Sequence, residues 1–326
     1  MFTKQNHYVP QFYQNYFCDT SGCLWVYDKD NPEPKQQHPI VTAVENHLYT
    51  INREDGVKDD SLEKEVFTRN EWIAIPVLDR WQQSGTKIQE EEIPQIASFL
   101  AFMHTRVPRN LGLMNDLWVA LAERDISETA SDKEQFNQIL KKCGPGARDL
   151  SVEESEQLRQ LMLNPKRPVG IKLNRKAALA LSLGEATKIY RVLLQMHWSL
   201  CEAPTGSSFL TCDSPVVSFA PDKQGRVRFG GNFASPHLEI SFPISPSLCL
   251  WIRRTEQQAR RKCSSVVVNE LNRRCACMAE RFVYAHVCSK RIISLVKRYS
   301  YTRQQSKINR AELPPPVGMD SPAMML

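Results

Sequence analysis

The chain has 326 residues, 42% of them hydrophobic and 24% charged, with a formal net charge of +6. That is enough apolar material for a sizeable core in one large domain or two small ones. No run approaches the ~18 apolar residues that a membrane helix needs, which excludes a helical membrane span.

The opening, Met1-Phe2-Thr3-Lys4-Gln5-Asn6-His7, lacks the apolar stretch of a signal peptide, so a cytoplasmic location is expected. The ten cysteines, irregularly spaced, then read as reduced core thiols rather than a disulfide framework. Cys275-Ala276-Cys277 is the one close pair, and its single-residue spacer is not a usual zinc-knuckle spacing. From Asn6 to Phe17 the chain is dense in aromatics, and after Pro10 their period is helical, with Pro10 suited to the first helical position. This places His7 just before a helix N-terminus, among rings that can perturb its titration.

Leu24–Asp28 reads as a strand closed by turn residues, and His47–Ile51 as a second strand suited to pair with it. From Ser61, read as an N-cap, the period is helical. Val66, Ala74, Val77 and Trp81 form its apolar stripe, with Glu63 and Asn70 inside the stripe and Glu71 at its edge beside Phe67. Two polar side chains on a core-facing stripe require partners, because each left unpaired costs about 1–3 kcal/mol. A further helix spans Ile93–Val107, with His104 and Arg106 flanking its stripe and Arg109 just beyond its end. Cations at a helix C-terminus complement its dipole or bind an anion. Residues 123–172 read as an inserted set of short helices, and Lys176–Trp198 as a long helix.

Within Gly206–Phe219, Phe209–Thr211 reads as a buried strand that Asp213-Ser214-Pro215 turns aside, fixing the Asp213 carboxylate at a strand end. Period-two patterns at Arg226–Phe229, Leu238–Phe242 and Leu248–Ile252 continue an antiparallel sheet of about three to five strands. A helix follows to Met278, then a strand at Phe282–Ala285, and two basic turns around Lys290-Arg291 and Lys297-Arg298. The predicted fold is α+β: a helix-rich single domain over residues 1–300, packed on an antiparallel sheet formed mainly by residues 208–252, with a disordered tail over 303–326.

These landmarks together resemble the bacterial family called domain of unknown function 4238. The likeness rests on His7-Tyr8-Val9-Pro10-Gln11-Phe12-Tyr13, Leu62-Glu63 with Glu71, Arg106 before Pro108, Trp198, Thr211-Cys212-Asp213-Ser214-Pro215 and Pro243-Ile244-Ser245-Pro246. It covers roughly residues 5–295. The family pattern at the central turn is closer to Thr-Ser-Asp-Asn-Pro; Cys212 and Ser214 depart from it while Asp213 is kept. The family name implies no activity, but the resemblance implies that His7, Glu63, Arg106 and Asp213 belong to one site.

A histidine active near neutral pH, carboxylates able to act as base or hold a divalent cation, and an arginine for phosphate charge are the parts of a hydrolase acting on nucleic acid or another phosphate-containing substrate. His7, Glu63, His104, Arg106 and Asp213 are the expected catalytic set, with His7, Glu63 and Asp213 within about 8 Å of one another. Between Arg253 and Arg310 stand fifteen Lys or Arg against three Glu, a local balance of +12 that leaves −6 for everything else. Arg253, Arg254, Arg260, Arg261, Lys262, Arg273 and Arg274 are the expected nucleic-acid-binding residues. No Gly-rich phosphate loop, His-Glu-x-x-His or Gly-x-Ser-x-Gly motif appears, so neither a metal site nor a cofactor beyond that divalent cation is specified. Two other readings fit the same residues: a non-catalytic nucleic-acid-binding or scaffold module held by a buried polar network, and a small-molecule hydrolase or transferase. A catalytic cluster opens to a cleft, whereas a structural one is closed.

Overall fold

The computed structural model describes residues 5–31, 33–49, 51–52, 58–59, 61–143, 149–164, 175–221, 227–229, 233–256 and 258–300. In chain order the elements are β1 (Gln5–His7), α1 (Gln11–Asn15), β2 (Leu24–Asp28), β3 (Lys35–Gln37), β4 (Val44–Asn46), β5 (Ile51–Asn52) and β6 (Lys58–Asp59). A π-helical segment, Leu62–Phe67, leads into α2 (Thr68–Gln82), followed by α3 (Glu92–Arg106), α4 (Pro108–Ser131), α5 (Lys133–Lys142), α6 (Val152–Leu163) and α7 (Arg175–Leu193). Then come β7 (His197–Glu202), β8 (Thr211–Cys212), β9 (Val217–Pro221), β10 (Val227–Phe229), β11 (Glu239–Ser245), β12 (Leu248–Arg253), β13 (Arg260–Lys262), α8 (Ser265–Met278), β14 (Phe282–Ala285) and α9 (Lys290–Arg298). The fold class is α+β.

Among the described residues, 5–111 and 179–300 form one compact unit and 112–178 a second. The first unit holds a six-stranded sheet in the order β10-β9-β11-β12-β7-β13 and a four-stranded sheet in the order β3-β2-β14-β8. Its main core gathers Tyr13, Phe17, Phe67, Trp81, Phe99 and Phe242 with the apolar stripes of α2 and α3. In the second unit a capping box fixes the start of α6: the Ser151 hydroxyl accepts from Glu154 N–H while the Glu154 carboxylate accepts from Ser151 N–H. There Arg159 Nη1 donates to Ala130 O at 2.8 Å.

Several local expectations are corrected. β13 runs parallel to β7, so the larger sheet is mixed and has six strands, whereas every other pair in it is antiparallel. β2 pairs with β3 and β14 rather than with a 47–51 strand. His47 has φ of 55°, which breaks an extended run there. Ser61 makes no side-chain cap, because its own backbone is helical rather than in the extended conformation of an N-cap. His197 and Trp198 begin β7 instead of ending α7, and Trp198 Nε1 donates to Leu193 O at 3.0 Å, covering a carbonyl at the helix end. Phe209 and Leu210 are buried but precede β8. Lys290–Arg298 is one helix, where two basic turns were expected. The 303–326 tail lies outside the described residues.

Candidate functional site

Asp213 follows β8 and is buried. Its carboxylate accepts from Glu280 N–H at 2.8 Å, Arg281 N–H at 2.6 Å and Phe282 N–H at 2.8 Å, and its own N–H donates to Phe282 O at 3.0 Å. The turn at Asp213-Ser214-Pro215 thereby locks the start of β14 to β8. Burial pushes the Asp213 carboxyl upward and outweighs these N–H donors and the Lys29 charge, which pull it down. Lys29 is buried and donates to Ala279 O; burial lowers its pKa, while Asp213 opposes the shift. The same carboxylate, after burial, raises the Tyr8 phenol.

His104 sits in α3 with Nδ1 3.4 Å from Val216 O and its ring edge-on to Phe233 at 5.1 Å. Burial drives its pKa down to about 4, the Val216 carbonyl opposes, and the Arg109 charge adds to the depression. Its imidazole is therefore neutral at physiological pH. Arg109 in turn lies 3.6 Å from Glu280, next to the backbone that holds Asp213.

Glu63, Glu71 and Arg106 form a charged cluster. Arg106, 2% exposed, donates from Nη1 to Glu71 Oε1 at 2.8 Å and lies 5.0 Å from the centre of the Phe67 ring. Burial works against its charge, but Glu71, Tyr49 and Glu63 outweigh that and raise its pKa. Tyr49 donates to the Arg106 carbonyl at 3.1 Å. The π-helical turn brings Glu63 to this arginine, and Asn70, the other polar residue on the stripe, is satisfied by Val66 O at 2.8 Å and the Ser98 hydroxyl at 2.6 Å.

His7 has its own partner, with Nε2 3.1 Å from Pro39 O, while β1 pairs His7 with Val44. The aromatic motif after it works as a clamp. Tyr13 donates to Pro243 O at 2.6 Å, lies 2.6 Å from the Thr211 hydroxyl, and stacks on Phe242 at 4.9 Å; Gln14 donates to Val9 O and Thr42 O. Thus Glu63 and Arg106 share one cluster, His104 and Asp213 are linked through Arg109 and Lys29, and His7 is bound to a backbone carbonyl.

Most of the expected nucleic-acid-binding cations are engaged within the fold. Arg260 bonds Glu202, Trp81 O at 3.0 Å and Thr86 O at 2.9 Å. Arg274 bonds Glu239 and Glu270 and lies 3.7 Å from the Phe219 ring centre. Arg253 and Arg261 pack on Trp251 at 4.5 and 4.7 Å, and Arg254 donates to Phe233 O at 3.0 Å. Lys262 is exposed. Arg273 makes a paired contact with Glu270 at 2.6 and 2.7 Å, and it also lines a groove of about 450 Å³.

That groove is formed by the 206–210 loop, α8, α9 and the turn before α9. Arg291 and Arg298 contribute its charge, Arg273 being paired with Glu270; Ser207, Ser208, Asn269, Asn272 and Ser289 form its polar lining; and no Asp or Glu lines it among the described residues. Asn272 holds the loop in place, accepting from Leu210 N–H at 2.9 Å and donating to Ser208 O at 2.8 Å. Arg291 and Arg298 are exposed. Both were read from sequence only as parts of basic turns and not as binding residues, although Ile292, Leu295 and Val296 repeat at helical spacing and put both arginines on one amphipathic helix. His7, Glu63, His104, Arg106 and Asp213 do not line this groove.

Among the described residues no group of three or more His, Cys, Asp or Glu is arranged to hold a metal ion, and no helix is long and apolar enough to cross a membrane. No curated protein and no solved structure matches the chain. Residues 5–288, spanning both the Tyr13 clamp and the Asp213 lock, match one family throughout, and the chain belongs to that family, described as Protein of unknown function (DUF4238).

Proposed function

We propose that this protein is a non-catalytic nucleic-acid-binding module, in which the buried polar clusters hold the fold and the α8–α9 groove receives phosphates. The observation that carries the reading is a groove with the exposed Arg291 and Arg298 on one wall and no carboxylate among its described lining residues, its third arginine, Arg273, being paired with Glu270. Arg291 and Arg298 are two turns apart on α9, about 10.5 Å along the axis, a span on which successive phosphates can be met by separate guanidinium groups. The hydrolase reading draws less support: Arg106 is 2% exposed, and the Asp213 carboxylate is occupied by three backbone N–H groups. A buried charge so surrounded serves packing without any reaction.

The test is a fluorescence anisotropy titration of the purified chain with labelled DNA and RNA at low salt. Binding that is lost in Arg291→Glu/Arg298→Glu supports the reading. No binding to any polymer, or a double variant that binds as well as the parent, overturns it.

A further inference from the structure

The groove has a second feature that phosphate recognition alone does not use. Its accessible lining also includes an apolar strip of Val287, Leu295 and Tyr299. Leu210, Val268 and Ile292 are buried beneath it, whereas Val287 remains 39% exposed. A site for inorganic phosphate or for a duplex backbone gains nothing from such a floor, because both present only charged oxygens and sugars.

Resting on the reading of the groove as a nucleic-acid site, we infer that it selects single-stranded over double-stranded nucleic acid. The exposed arginines, Arg291 and Arg298, stand on α9 with Leu295, while Arg273 on α8 is already paired with Glu270. An unpaired strand can track the cations with its backbone and lay a base face on that strip, which is the combination used by binders of single strands. In a duplex the bases stay stacked and paired, so the strip would be left facing water or sugar edges. Asn269 and Ser207 offer polar groups at the rim but no paired fork like that needed to read a base pair in a major groove. The selection is therefore for strandedness, with weak dependence on sequence. The loop wall is rigid enough to serve: Asn272 ties it to α8 through two hydrogen bonds, and Gly206 supplies the φ of +80° that turns the chain into it.

The experiment compares the full chain binding a labelled oligothymidylate and a labelled duplex of equal length at one salt concentration. The single strand is expected to bind about tenfold or more tightly, and Tyr299→Leu to weaken it by roughly fivefold or more, since one base–aromatic stack is worth about 1–3 kcal/mol. Val287→Asn, at a position exposed enough to spare the fold, is a second variant that makes the strip polar and is expected to narrow the gap between single strand and duplex. Equal or tighter duplex binding, or a strand preference unchanged in both variants, overturns the inference while leaving the groove a nucleic-acid site. Absence of binding to either polymer overturns instead the reading on which it rests.

Discussion

At Asp213 the balance of forces is unusually explicit. A buried carboxyl tends to be neutral, yet here three backbone N–H groups and Lys29 converge on the charged form. Hydrogen bonds to a charged group are worth about 1.5–3 kcal/mol each, but they are offset by desolvation, so the net contribution is far below their sum. Asp213→Ala leaves those donors and Lys29 without their acceptor and is expected to lower unfolding free energy by roughly 3–5 kcal/mol in a urea titration. A loss below about 1 kcal/mol would show that the lock on β14 is not structural. His104 makes a pH-dependent prediction. Its folded pKa of about 4 lies below the ordinary 6.5, so between these values the unfolded chain binds more protons and stability falls as pH falls. Relative to His104→Gln, the parent should lose stability from about pH 6.5 down to about pH 4, by about 3 kcal/mol at most. A parent-minus-variant difference that stays flat over that window would mean the imidazole is not held neutral.

Elements with local periodicity were readable in the chain, and those defined by distant partners were not. The α3 stripe, the placing of Glu71 beside Phe67, and the requirement that Asn70 find a partner all follow from 3.6-residue spacing, and each has its counterpart in the Arg106 and Ser98 contacts. The antiparallel core strands were legible from alternation and turn residues. The parallel pairing of β13 with β7 was not, because a three-residue basic strand has no pattern of its own and is set by the carbonyls and carboxylate that hold Arg260. Lys29 is another such case: nothing around it in sequence signals Asp213 or the Ala279 carbonyl. The groove depends on the same kind of distant tie, since Asn272 on α8 positions the loop before β8. Asn272→Ala removes both bonds and is expected to cost about 1–3 kcal/mol, with faster hydrogen exchange at Leu210. Unchanged exchange there would show that the loop is held by packing alone.

Over the whole molecule, the basic excess beyond Arg253 is partly neutralised from within, and this sets how a polyanion should bind. Counted from sequence, fifteen cations would release many counterions and give a very steep salt dependence. The fold removes several from that count: Arg260 is held by Glu202 and two carbonyls, Arg274 by Glu239 and Glu270, and Arg281 by Asp28. The exposed cations that remain near the groove are Lys290, Arg291, Lys297 and Arg298 on α9. Three or four phosphate contacts give a slope of log K against log salt of about −2 to −4, since each contributes about −0.7 to −0.9. Arg291→Glu/Arg298→Glu should flatten that slope by about 1.4 to 1.8 for the loss of two contacts. Arg260→Met should instead leave the slope as it is while lowering stability, because its charge is committed to Glu202 and to the Trp81 and Thr86 carbonyls. Binding measured from about 50 to 200 mM salt for the parent and both variants separates the two roles. A slope near −10, or one that responds to Arg260→Met as strongly as to the α9 pair, would mean that the cations engaged within the fold open toward the polymer and that the groove is only part of a wider contact.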